Sequence, residues 1–137
     1  MSTRASIRFF EGDREYIKLY HHWDGYIDGL GYDIANWLLK KRVVNGIGGD
    51  TTNICNGTGC LIAQFIHDFK TEPGNLYVEP IDSGDEWCDY NYKIVLKDGE
   101  LGNADDITQI IVTNWGEGDP IFVGKPSELL KFKESED

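Results

Sequence analysis

Two stretches near the start of the chain, residues 4–10 and 15–23, alternate apolar and polar positions, with Glu11, Gly12, Asp13 and Arg14 between them. A period of two on both sides of a short polar turn predicts a β-hairpin. Successive strand residues point to opposite faces, so Ala5, Ile7 and Phe9 share the predicted core side with Ile17, Leu19, His21 and Trp23. Arg4, Ser6, Arg8 and Phe10 share the outward side with Tyr16, Lys18, Tyr20 and His22. After Gly25, Gly29 and Gly31 the period changes. Leu30, Ile34, Trp37 and Leu38, followed by Lys40, Lys41 and Arg42, predict an amphipathic helix whose last turn carries cations. Leu61, Ile62, Phe65, Ile66 and Phe69 form the apolar stripe of a second helix, closed by Pro73 and Gly74.

Between the helices, residues 45–59 are rich in glycine and lack an apolar period, which predicts a long loop. Strand signals return at 76–81, 90–97, 107–115 and 121–123, and Pro126 opens a single turn through Leu130. A hairpin, two helices and a run of strands predict an α+β fold, a mainly antiparallel sheet with the two helices packed on one face. The expected organisation is one globular domain over residues 1–137, with a tail that frays from about residue 131.

Composition narrows the function. The chain has 137 residues, with 13 Lys+Arg against 24 Asp+Glu, a net charge of −11. The first 70 residues balance 8 basic against 8 acidic side chains, and residues 71–137 hold 5 against 16, so the surplus is 5 − 16 = −11. Such a surface repels a phosphate backbone and disfavours direct binding of nucleic acid. No apolar run approaches the roughly 20 residues of a membrane span, and the N-terminus lacks a signal-peptide core, so a cytoplasmic protein is expected. Cys55, Cys60 and Cys88 include no C-x-x-C pair and read as reduced thiols.

The outward hairpin face gathers Arg4, Arg8, Lys18, Tyr20 and His22 within an otherwise acidic protein. Guanidinium groups fork onto phosphate and aromatic rings stack on bases, so this face is a candidate site for a phosphorylated small molecule. Arg8 is also placed to pair across the turn with Glu15. Gly57, Thr58 and Gly59 stand before the second helix, where backbone N–H groups cradle anions. Neither a P-loop lysine nor a preceding buried parallel strand is present, which excludes a classical nucleotide-hydrolysing or dehydrogenase fold. His21 and His22 point to opposite faces and cannot share a metal ion, and Asp82, Asp85, Glu86 and Asp89 read as a solvated acidic turn. Cys60 and His67, two helical turns apart, are too distant for a nucleophile and its base, so neither a metal nor a cofactor is expected.

Ser2-Thr3-Arg4-Ala5-Ser6-Ile7, followed by Tyr20-His21-His22-Trp23-Asp24-Gly25-Tyr26, resembles small proteins of tailed bacterial viruses and prophages that begin STRA-x-I and continue to Y-x-HWDGY. The likeness covers about the first forty residues and departs from the pattern at Ile27, where a proline is expected. It implies a viral accessory protein acting in the host cytoplasm. Two binding mechanisms then compete. In one, Arg4, Arg8 and Lys18 hold the phosphate of a signalling nucleotide, Tyr20 with Trp23 or Tyr26 stacks its base, and Asp24, His22 and the Gly57–Gly59 backbone complete the cradle, which sequesters the nucleotide from a host defence. In the other, the acidic part from Glu72 onward mimics nucleic acid and occupies a basic host protein such as a CRISPR effector. A small nucleotide-cleaving enzyme is a third reading, and self-association is left open.

Overall fold

The computed structural model describes residues 2–85, 87–114 and 118–134. The opening hairpin is present as predicted, with β1 (Ala5–Glu11) antiparallel to β2 (Arg14–His21). A π-helical turn over Ile27–Gly31 leads directly into α1 (Tyr32–Leu39). The cationic end expected for this helix unwinds early: Arg42 already belongs to β3 (Arg42–Val44).

The predicted long loop is shorter than its composition suggested. β4 (Ile54–Asn56) pairs parallel to β3, and α2 (Gly57–Phe69) starts immediately after it. Gly57 has φ +86°, a left-handed conformation that glycine adopts at little cost, and this turns the chain from strand to helix. Four further strands follow, β5 (Leu76–Glu79), β6 (Tyr90–Leu96), β7 (Gly102–Asn103) and β8 (Thr108–Asn114), with a helical turn α3 (Ala104–Ile107) before the last. The strand end predicted at Trp115 lies outside the described residues. β9 (Phe122–Gly124) and the turn α4 (Pro126–Leu129) close the order.

The fold is α+β. Its main sheet runs β5-β2-β1-β6-β8-β9, antiparallel except where β1 pairs parallel with β6, and a second sheet runs β4-β3-β7. Alternation places Ala5, Ile7, Phe9, Leu19, Tyr92, Ile94, Ile110 and Val112 on one face of the main sheet, all buried. Ile34, Leu38, Leu61 and Phe65 of the two long helices join them in one core. Phe65 meets Phe9 edge-on at 5.0 Å between ring centroids, and it stacks on Phe69 at 4.0 Å. The described part of the tail is tied down rather than frayed. Tyr32 donates to the Phe132 carbonyl at 2.7 Å and Tyr90 to Glu134 at 2.7 Å.

Candidate functional site

The outward face of the hairpin is covered. Glu79 and residues 81–85 fold back across β1 and β2, where Glu79 and Asp85 meet the basic side chains of the hairpin. Lys18, with 0% of its side chain exposed, places Nζ 3.0 Å from both Glu79 and Asp85. It also donates to Ser83 Oγ at 2.8 Å and to the Gly84 carbonyl at 2.9 Å. Arg8 forks onto Asp85 at 3.1 Å through Nε and Nη2, pairs with Glu15 as the sequence suggested, and donates to the carbonyls of Ile81 and Ser83. Burial opposes charge on both cations, but hydrogen bonds and attraction from these carboxylates outweigh it and raise both pKa values. Burial acts on Asp85 in the same way, and Arg8 and Lys18 again outweigh it, which holds its carboxyl below the ordinary aspartate value.

This corrects two expectations. Arg8 and Lys18 are not an open phosphate clamp, because the chain's own carboxylates and carbonyls occupy their donors. Nor is the acidic segment solvated throughout: Asp82 is exposed, but Asp85 is half-buried under two cations and Asp89 accepts from the Arg4 backbone N–H at 2.9 Å. Glu86 lies outside the described residues. Lys18 was predicted exposed because a period of two reports which face a residue is on, not what covers that face. The signal that could have found the cover was charge complementarity between a basic hairpin and the acidic stretch 79–89.

Arg4, Tyr20 and His22 do come together, around a ring that sequence reasoning missed. Trp87 lies 4.6 Å from Tyr20 between centroids, with the Arg4 guanidinium 5.8 Å from its centre. The Tyr20 hydroxyl is 2.7 Å from His22 Nδ1, and Tyr20 is buried, so its ring is not free to stack on a base. Tyr26 is exposed and donates to Asp24 at 3.2 Å. Gly57, Thr58 and Gly59 form the first turn of α2, not a loop ahead of it, and they line neither of the two hollows described next. The single cradle expected from the eleven residues is therefore divided among separate places.

Two concavities stand out among the described residues. A trough of about 650 Å³ crosses the outer side of the sheet, and its ionisable lining is Arg8 and Lys93 against Glu15, Asp82 and Asp85, or 2 − 3 = −1 among the described residues. A cleft of about 440 Å³ lies where the end of β2 meets α1 and the end of α2. His21, Trp23 and Asp24 line it with Asp33, Trp37, Lys40 and Asp68. With His21 neutral, its balance is 1 − 3 = −2 among the described residues. Asp24 holds φ +55° here, a left-handed conformation that aspartate tolerates better than most side chains. Trp37 is fixed by donating its indole N–H to Asp68 at 2.7 Å and by the Lys41 ammonium 4.7 Å from its ring centre.

The thiol chemistry is quiet. Cys55 is buried, its Sγ lies 3.4 Å from Gln64, and burial pushes its pKa up to about 11, so the reactive thiolate is scarce at neutral pH. His67 is exposed and pairs with Asp68 instead. Among the described residues no group of three or more His, Cys, Asp or Glu side chains is placed to hold a metal ion. No described helix is long and apolar enough to cross a membrane. Comparison with known proteins finds no match to a family model, to a curated protein or to a solved structure.

Proposed function

We propose that this chain is a viral accessory binding protein that inhibits a host defence process by engaging a basic surface of a host protein, without catalysis. The observation that carries this is the charge of its hollows: both concavities hold more carboxylates than cations, and the two cations best placed for a phosphate are internally neutralised. Sequestering a phosphorylated nucleotide would require breaking the Arg8 and Lys18 pairs or placing an anion among carboxylates, and both cost free energy. A cationic partner meets no such barrier. Exposed Glu72, Asp82, Asp98, Glu100 and Asp106 extend the negative field beyond the hollows, where complementary charge speeds encounter and selects partners. The viral context comes from the N-terminal resemblance.

Native mass spectrometry of the protein purified from a bacterial host, beside a denatured control, tests this reading. The expected result is a basic host protein in the complex, no released phosphorylated compound, and dissociation as salt rises from about 0.05 to 0.5 M. Exchanging exposed Asp98 and Glu100 for lysine should weaken that complex and slow its association. Release of a phosphorylated compound from the denatured protein would overturn the proposal and restore nucleotide sequestration.

A further inference from the structure

The cleft between β2, α1 and α2 contains one group that its structural surroundings do not use. His21 is only 8% exposed, and its Nδ1 lies 2.6 Å from the Trp23 carbonyl oxygen. A carbonyl oxygen can only accept, so this contact assigns the ring proton to Nδ1. Burial lowers the His21 pKa below its ordinary value and outweighs the opposing effects of the Trp23 carbonyl, Asp24 and Asp33, while His22 adds to the lowering, so the ring is neutral at pH 7. Nε2 then carries a lone pair, and no described residue donates to it. That nitrogen is not among the buried polar atoms that lack a partner; it stays accessible from the hollow, where a donor that enters can reach it.

The rest of the lining says what kind. Asp24 and Asp33 add exposed carboxylates, and Asp68 adds a third that already accepts from Trp37. Trp23 and Trp37 add aromatic surface, which attracts cations over its faces. Acceptors spread around a hollow beside indole rings suit a planar cation with several N–H donors better than a point charge: a guanidinium offers five donors and stacks on aromatic rings, whereas an ammonium does neither as well. We infer that the His21–Trp23–Asp33 cleft receives the guanidinium group of an arginine side chain on the partner protein. This rests on the proposed binding of a basic partner and names the anchor of that contact.

The test uses the full chain at pH 7.5 and three small probes: the acetylated amides of arginine, of lysine and of citrulline, which has the shape of arginine without its charge. Side-chain NMR of His21 and the tryptophan indoles reads binding. Expected are saturable shifts at His21 and Trp23 with the arginine probe, binding roughly tenfold weaker or more for the lysine probe, and none with citrulline. Asp33→Asn, at an exposed position on the first turn of α1, should keep the melting temperature and lower arginine affinity about tenfold. Trp23→Leu is the second variant, and it should abolish the His21 response without unfolding the chain. Equal shifts with arginine and citrulline, or arginine shifts unchanged by Asp33→Asn, would overturn the inference. If a basic host protein binds the Asp33→Asn variant as well as the parent, the cleft inference fails and the surface reading stands. If no basic protein binds either form, the reading beneath it fails.

Discussion

Lys18 shows how far a local pattern carries. Alternation put it on the right face of β2 and predicted a free ammonium, yet it is sealed between Glu79 and Asp85. The two ends of that pair respond differently to substitution. Asp85→Asn leaves Lys18 with Glu79 and Arg8 with Glu15 as their remaining ionic partners, and should cost roughly 2 kcal/mol, below the range for a fully broken buried pair because those partners stay and Asp85 keeps some solvent contact. Lys18→Met removes a desolvated charge, leaves Asp85 paired with Arg8, and should cost less. Urea denaturation of both variants checks this, and equal or reversed losses would count against the pair as drawn. The same carboxylate sets an acid limit. Its folded pKa lies below its unfolded one, so the pair contributes stability fully above about pH 4 and loses it as pH falls through the folded value. Asp85→Asn should flatten that acid-side loss. Among the candidate residues, the sequence showed Trp23 and Asp24 as belonging together, but not that His21, predicted inside, would line the same cleft.

Local periodicity made β1, β2, α1, α2 and β6 legible because each buries one face along its length. It did not reveal β3, β4 or β7, which span two or three residues, too few for a period to register. The parallel pairing of β1 with β6 was also hidden, since it joins residues far apart in sequence through backbone bonds that every residue type makes. Close approach to the start of β1 explains Gly25, which the sequence could read only as a turn residue. A Cβ there would lie 2.9 Å from Ala5 Cβ and 3.0 Å from the Thr3 carbonyl oxygen, while Tyr92 on β6 donates to the Gly25 carbonyl at 2.7 Å. Gly25→Ala therefore pushes the end of the hairpin off its neighbours and should destabilise by about 1 to 3 kcal/mol, the usual range for overpacking. Thermal melting reads the loss. A variant as stable as the parent would mean that the turn yields freely and that Gly25 is dispensable for the approach.

The charge distribution ties the fold to the proposed function. Part of the acidic surplus is used internally, where Glu15, Glu79 and Asp85 neutralise the hairpin, and among the described residues Glu72, Asp82, Asp98 and Glu100 are exposed. A net charge of −11 makes the compact state repel itself, a cost that the proposed basic partner would relieve. Salt screens exposed charges but scarcely reaches buried pairs. Raising ionic strength from about 0.01 to 0.1 M shortens the screening length from roughly 30 to 10 Å, which weakens the repulsion while sparing the Lys18–Asp85 contact. The melting temperature should therefore rise with salt over that range. The rise should shrink in an Asp98→Lys, Glu100→Lys variant, which replaces two negative charges with two positive ones and so makes the net charge four units less negative. A melting temperature that falls with salt would mean that attractive surface pairs outweigh the repulsion, leaving little unopposed negative field to draw in a basic partner.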